Sequence, residues 1–164
     1  YDSDGNMLKE VIKDADGKVK WSYEYSYDSD GNVLKEVHRD ADGKIENSAE
    51  YSYDSDGNML KEVYRDADGK VKSSCEYSYS SDGNFIKEVR KDADGKITGY
   101  SETTYTKLAN GGKNRKSVSK DADGNITSSY EDEYDSVGNI LKDESKYFDK
   151  DGKVLFGYSY EYEA

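Results

Sequence analysis

The sequence of 164 residues lacks proline and contains one cysteine and one histidine. A single cysteine, Cys75, excludes an internal disulfide, and a single histidine, His38, excludes a histidine-rich metal centre. The same scarcity leaves no basis for a Ser-His-Asp or Cys-His catalytic set. No apolar run approaches the ~20 residues that a membrane-spanning helix needs. The sequence therefore predicts no metal site, no cofactor and no insertion into a membrane.

Large apolar residues are also scarce, since leucine, isoleucine, valine and phenylalanine together account for 25 of the 164 residues. Together with a net charge of −12, such a composition is typical of disordered chains. The 17 tyrosines and the absence of proline favour an ordered chain instead. The negative charge opposes binding to nucleic acids and to anionic membranes, because phosphate contacts need clustered Lys and Arg. Order must therefore come from a sequence pattern rather than from a large apolar core.

The pattern is a tandem repeat, which begins with a tyrosine in every unit. The first four units have 26 residues each, the fifth has 29 and the sixth has 31. We predict a single repeat domain over residues 1–164 that is built from six units: 1–26, 27–52, 53–78, 79–104, 105–133 and 134–164.

Each unit contains two turn signals, Asp-Ser-Asp-Gly-Asn at 28–32 and Asp-Ala-Asp-Gly-Lys at 40–44 in the second unit. Both fit a three-residue hairpin loop, in which a type I turn is followed by a glycine with positive φ. Between the turns, tyrosine and valine alternate with polar residues, which indicates strands. The predicted fold is all-β, an antiparallel up-down meander of about twelve strands from six tandem hairpin repeats, in one twisted or spiralling sheet.

Closing the two turns with no further irregularity sets the expected register of the strands. It pairs Tyr25 with Lys35 and Glu24 with Glu36. One face of the sheet is then expected to carry tyrosine rings with Lys35 and Arg39 between them. The other face is expected to carry a ladder of like-charged glutamates, which costs some stability.

The tyrosine face is the candidate binding surface, because rows of aromatic rings stack on sugars or on a partner protein. Coiling of the sheet, or a second copy of the chain, is the alternative way of covering these rings, so self-association is a further expectation. The predicted strip consists of Trp21, Tyr23, Tyr25, Tyr27, Tyr51, Tyr53, Tyr77 and Tyr79.

Other candidate sites have simpler explanations. The Asp-rich turns lack the first aspartate of the Asp-x-Asp-x-Asp-Gly calcium loop, and hairpin chemistry accounts for their Asp and Gly, so a cation-binding structural array is an alternative only. Paired glutamates resemble glycosidase sites, but that chemistry needs two carboxyl groups in unlike surroundings. His38 occupies a repeat position that other units fill with Ile12, Tyr64 or Arg90. We therefore expect no catalytic residues.

The motif Tyr-Asp-x-x-Gly-Asn, preceded by an alternating tyrosine strand, resembles the YD repeat of bacterial Rhs and wall-associated proteins. It stands as YDSDGN at 1–6, 27–32 and 53–58 and as YDSVGN at 134–139. The resemblance implies strands of a long spiralling sheet, in shells around toxins or in extracellular adhesion tracts, and it implies no catalytic residues in the repeats. Six units are too few for a shell.

The sequence thus predicts a non-catalytic, extracellular or cell-surface bacterial segment that acts in adhesion or as a surface scaffold. A carbohydrate-binding module that uses the tyrosine strip is the first alternative, and the cation-binding array is the second. The expected partner is a glycan or a protein on the tyrosine face.

Overall fold

A computed structural model of the chain describes residues 1–162, and these residues form twelve β-strands. The strands are β1 (Lys9–Lys13), β2 (Val19–Tyr27), β3 (Val33–Arg39), β4 (Ile45–Tyr53), β5 (Met59–Asp66), β6 (Val71–Tyr79), β7 (Phe85–Asp92), β8 (Ile97–Lys107), β9 (Lys113–Asp121), β10 (Ile126–Tyr134), β11 (Ile140–Phe148) and β12 (Val154–Glu161). They form one sheet in chain order from β1 to β12. The predicted antiparallel meander of about twelve strands is confirmed. The end of the sixth unit, residues 163–164, lies outside the described residues.

Contacts along the chain divide it into two compact units. The first unit contains Tyr1–Tyr77 and Lys91–Lys96, and the second contains Ser78–Arg90 and the residues from Ile97 on. The first unit therefore holds the three most regular repeats, and the second holds most of the repeats in which the sequence drifts. Across residues 1–162, no helix is long and apolar enough to cross a membrane.

Most hairpin loops are closed by their first residue, an aspartate, as the loop at 28–32 shows. The Asp28 amide donates to the Asn32 carbonyl at 3.0 Å, and the Gly31 amide donates to the Asp28 carbonyl at 3.3 Å. Gly31 has φ of 84°, a conformation that side chains with a Cβ rarely adopt. The Asp28 carboxylate accepts bonds from the amides of Asp30 and Asn32 and from the Asn32 side chain, at 2.9–3.0 Å. The predicted three-residue loop is therefore confirmed.

The register differs from the expected one, because a β-bulge follows the turn. Tyr27 pairs with Val33, but the next pair is Ser26 with Lys35, which leaves Leu34 as an extra residue in β3. The second turn of the same unit has an equivalent shift, which leaves Glu46 extra in β4. A shift of one residue moves a whole strand's side chains to the other face of the sheet.

The expected composition of the two faces is therefore wrong. Tyr25 lies opposite Glu36 rather than Lys35, and Glu24 lies opposite Val37 rather than Glu36. Lys35 pairs with Ser26 and Glu50, and Lys61 pairs with Ser52 and Glu76. We call the side with Tyr23, Tyr25 and Tyr51 the aromatic face and the side with Glu24, Glu50 and Lys35 the ionic face.

One hairpin, between β8 and β9, has no such bulge. Its pairs run without a shift from Lys107 with Lys113 to Gly99 with Asp121. Its loop begins at Leu108 instead of aspartate, and it ends at Gly112, where other loops have Asn or Lys. A Cβ on Gly112 would lie 2.1 Å from the Tyr134 carbonyl oxygen. Close approach of the next strand therefore requires glycine at this position.

Buried positions in the first unit are occupied by small residues. Ala49 is 6% exposed, and Ser22, Ser48 and Ser74 are similarly buried. Ser22 pairs with Val11 on one side and with Arg39 on the other. A serine in such a row lies between longer side chains, whose aliphatic stems cover it. The unit therefore gains its order from cross-strand neighbours on each face rather than from a thick apolar core.

Candidate functional site

The ionic face of the first unit carries a repeated ion triad, in which one glutamate lies between two cations. Glu24 Oε1 lies 3.0 Å from Lys9 Nζ, and its Oε2 accepts from Arg39 Nε at 2.9 Å. Glu50 repeats the arrangement 26 residues later with Lys35 at 3.1 Å and Arg65 at 2.9 Å. A third copy joins Glu76 to Lys61 at 3.4 Å and to Lys91 at 2.6 Å.

The cations hold the pKa of each triad glutamate below its usual value. The first cause is the hydrogen bond from Lys9 for Glu24, from Arg65 for Glu50 and from Lys91 for Glu76. The expected ladder of repelling glutamates, with Glu24 opposite Glu36, is therefore wrong. Because these glutamate side chains are more than a third exposed, water screens each pair and keeps its contribution modest.

The aromatic face begins with a stack of three rings. Tyr23 lies parallel to the His38 ring, with centroids 4.7 Å apart and planes at 15°, and its centroid lies 6.4 Å from that of Tyr25. His38 Nδ1 lies 3.2 Å from a carboxylate oxygen of Glu46. Within residues 1–162, the His38 Nε2 atom is buried and has no hydrogen-bond partner. His38 therefore contacts Tyr23 through its ring face and Glu46 through Nδ1.

Tyrosines and glutamates alternate across the rest of this face. Tyr25 pairs with Glu36 and Tyr51 with Glu62. Both Glu62 oxygens accept from tyrosine hydroxyls, one from Tyr64 and the other from Tyr77 at 3.3 Å. Burial raises the pKa of Tyr51 to about 12, and the charges of Glu36 and Glu62 add to the effect. We call Tyr25, Glu36, Tyr51 and Glu62 the Tyr–Glu strip.

The remaining members of the predicted strip lie in other surroundings. The hydroxyls of Tyr27 and Tyr53 donate to the carbonyls of Met7 and Val33 at 2.8 and 2.9 Å, so these rings fasten one strand to its neighbour. Trp21 pairs with Ile12 and has the Lys20 ammonium 5.0 Å from its ring centroid. Tyr79 belongs to the second unit and meets Phe85 edge-on at 6.0 Å.

The second unit carries polar side-chain pairs at the equivalent positions. Ser101 bonds to Ser119 at 2.9 Å, and Thr103 donates to Ser117 at 3.1 Å. Asp132, which is 6% exposed, accepts from Arg115 Nε at 2.7 Å and from the Tyr134 hydroxyl at 3.4 Å.

Sequence reasoning missed the Asp132 cluster, although one signal for it is present. Asp132 follows Glu131 at the position that Tyr51 occupies after Glu50. A charged residue therefore replaces a tyrosine of the repeat, and a buried charge of this kind needs a partner. The sequence also contains a signal for the bulge. Two consecutive apolar residues after a turn, such as Val33 and Leu34, break the alternation of apolar and polar residues.

The turn aspartates bind groups of their own loops. In the loop at 28–32, both Asp28 carboxylate oxygens already accept N–H groups of the loop. Among residues 1–162, no group of three His, Cys, Asp or Glu side chains is arranged to hold a metal. The hydrogen bonds within the loop therefore account for Asp28 without a cation.

Comparison with solved structures gives matches of low sequence identity. The TcdB2-TccC3 structure is 16% identical with a TM-score of 0.47; the match covers 93% of this chain and 10% of that one. The Photorhabdus luminescens Tc holotoxin pore is 11% identical with a TM-score of 0.27, and it covers 91% and 13% of the two chains. A Bacteroides fragilis protein of unknown function is 10% identical with a TM-score of 0.31, and it covers 97% and 94%. The chain thus spans about a tenth of TcdB2-TccC3.

The regular hairpins and their triads define the class as an all-β tandem-repeat protein. The model of the RHS repeat family matches the sequence twice, over residues 1–45 and 27–71. Residues 1–71 therefore carry RHS repeats, and the resemblance to the YD-repeat proteins is confirmed. The comparison with curated protein sequences finds no match.

Proposed function

We propose that this chain is a non-catalytic segment of an extracellular bacterial protein, and that it acts as a cell-surface scaffold in adhesion. The observation that carries the proposal is the repetition of one hairpin, with the same aspartate-closed loop and the same ion triad, at intervals of 26 residues. Such an array extends by adding identical units, each of which contacts its neighbours. Repetition favours a structural role, because catalysis needs one site with unlike groups.

The net charge supports the location. A charge of −12, concentrated at the turns, keeps a repetitive sheet soluble and discourages association between copies. Within the described residues, Cys75 is half-buried and is the one thiol, so the fold needs no reducing compartment. Both features suit a protein exposed outside the cell.

Antibody labelling of intact producing cells tests the location. We expect an antibody against the purified chain to stain intact cells, and protease added outside to remove the staining. Staining that appears only after lysis would refute an extracellular scaffold.

Competition tests the adhesive role. We expect the soluble chain to reduce attachment of the cells to the surface on which they grow. The matched reagent is the chain with Tyr25, Tyr51 and Tyr77 changed to serine and its fold checked by circular dichroism. Unchanged attachment at saturating amounts of the folded chain would show that the segment is a spacer and not an adhesin.

Carbohydrate binding is the second candidate, and half-exposed rings beside carboxylates favour it. Tyr25 and Tyr51 lie next to Glu36 and Glu62, which pairs stacking surfaces with acceptors for sugar hydroxyls. A glycan array probed with the chain and with the triple serine variant tests it. Retention of neutral glycans by the chain but not by the folded variant would support this function.

A further inference from the structure

The two faces of the first unit differ in the sign of their net charge. The central register pairs of the aromatic face, from Glu10 with Tyr23 to Tyr64 with Ser73, include no lysine or arginine. Three glutamates, Glu10, Glu36 and Glu62, lie on this face. The cations of the same strands pair on the ionic face; they are Lys9, Lys35, Arg39, Lys61 and Arg65. The aromatic face is therefore a negative surface lined with rings.

In the second unit, a tyrosine and a carboxylate on the equivalent face have cations as cross-strand neighbours. There, Tyr134 and Asp132 face Lys113 and Arg115 of strand β9. The Lys113 ammonium lies 5.0 Å from the Tyr134 ring centroid, and Arg115 Nε donates to Asp132 at 2.7 Å. A lysine over a ring and an arginine on a carboxylate, both from one extended strand, thus satisfy a tyrosine–carboxylate pair.

The Tyr–Glu strip also places tyrosine rings beside carboxylates, but the cross-strand partners of Tyr25 and Tyr51 are glutamates, whereas the partners of Tyr134 and Asp132 in β9 are a lysine and an arginine. Its four side chains are half-exposed, so they are within reach of a ligand from outside. Two strand spacings and a stagger of two residues place Tyr25 about 12 Å from Tyr51. A ligand that reaches both rings must be extended over several residues and must carry repeated positive charges.

We propose that the Tyr–Glu strip binds an extended, basic polypeptide segment, whose arginine and lysine side chains lie on Tyr25 and Tyr51 and pair with Glu36 and Glu62. The segment supplies cations to the rings and carboxylates of the strip, as β9 supplies Lys113 and Arg115 to Tyr134 and Asp132. An anionic partner is excluded by the charge of the face. This inference concerns the partner and goes beyond the proposed location and adhesive role, and its test uses the purified chain alone.

Fluorescence anisotropy with a labelled peptide of alternating arginine and serine tests the proposal, with a glutamate–serine peptide of the same length as the negative probe. The decisive comparison is between Glu36→Gln/Glu62→Gln and Glu24→Gln/Glu50→Gln. Both double variants remove two negative charges from neighbouring strands of the first unit, β3 and β5 in the first variant and β2 and β4 in the second, but from opposite faces. We expect the first to weaken binding about tenfold and the second to leave it within about twofold. Tyr51→Leu, which keeps every charge, should weaken binding as well.

Equal losses in the two double variants would overturn the proposal, because they would show attraction to net charge alone. An arginine–serine peptide that does not bind would also overturn it. A chitosan oligosaccharide that binds as tightly, with the same dependence on Glu36 and Glu62, would show that the strip recognises amines on sugars and not a polypeptide. Retention of neutral glycans that is insensitive to Glu36→Gln/Glu62→Gln would assign the strip to carbohydrate binding instead.

Discussion

The two units of this chain use the same hairpin but stabilise its aromatic face differently. In the first unit, rings alternate with glutamates, and the cations lie on the opposite face in triads around Glu24, Glu50 and Glu76. In the second unit, Arg115 and Lys113 lie on the face with Asp132 and Tyr134. In the first arrangement the charged side chains remain partly exposed to water, whereas in the second the Asp132 carboxylate is buried. The comparison teaches that a repeat can keep its hairpins while one face changes from half-buried rings and glutamates to a network of paired charges.

Removing the buried carboxylate should have the largest effect. Asp132→Ala leaves the Arg115 guanidinium without its partner, and we expect the free energy of unfolding to fall by about 3 kcal/mol. Urea unfolding measures this loss. Glu131→Ala is the matched control, because the neighbouring Glu131 is 39% exposed on the other face, and it should cost under about 1 kcal/mol. Similar losses in both variants would mean that burial does not distinguish the two faces.

Restoring the repeat's own residue at the irregular loop should be the next largest effect. Gly112→Asn inserts a Cβ against the Tyr134 carbonyl, so the strand must shift, and we expect a loss of about 2 kcal/mol. Asn32→Gly, the reverse change in a regular loop, removes one side-chain bond to Asp28 and should cost under about 1 kcal/mol. Thermal unfolding of the two variants checks the order. A harmless Gly112→Asn would show that the neighbouring strand has room for a side chain.

Supplying a missing loop aspartate should stabilise the second unit. The Ser80 hydroxyl accepts one bond, from the Asn84 amide at 3.2 Å, where Asp28 accepts three. We expect Ser80→Asp to raise the free energy of unfolding by about 1 kcal/mol. The urea midpoint should rise in Ser80→Asp and fall in Asp28→Ser. A fall in both would mean that repulsion from nearby carboxylates outweighs the added bonds.

The triads should give the smallest effect, and it should depend on pH. The pKa of Glu50 is lowered from 4.5 in the folded chain, so its contribution is present above about pH 4.5 and is lost as the pH falls through the lowered value. Glu50→Gln should therefore reduce stability by a few tenths of a kcal/mol at neutral pH. The gap between the two proteins should close in acid. Urea midpoints from pH 7 to pH 3 measure it, and a gap that widens in acid would reverse the sign of the triad.

Much of the fold could be predicted from the sequence, because its determinants are local. The Asp and Gly of each loop specify the turn within five residues, and alternation specifies the strands between the turns. The positive φ of Gly31 and the bonds to Asp28 follow from the loop sequence alone. The number and order of the strands follow from the repeat.

The candidate site could be predicted only in part. Tyrosine rings were expected on one face, and Tyr25 and Tyr51 do lie there. Their neighbours were not predicted, because the bulge at Leu34 moves Glu36 to the aromatic face and Lys35 to the ionic face. Gly31 already explained the turn, so the turn rules did not predict a second irregularity three residues later, at Leu34.

What the sequence by itself determined is the local part: twelve short strands, their turns and their order. What only the tertiary structure decided is which side chains meet, since pairing depends on whether a hairpin accommodates an extra residue beside its turn, as β2–β3 does and β8–β9 does not. Three partnerships depend on the register in this way: Glu24 with Lys9 and Arg39, Tyr51 with Glu62, and Asp132 with Arg115. Because alternate residues of a strand point to opposite faces, one residue of register exchanges every contact while the strands stay in place.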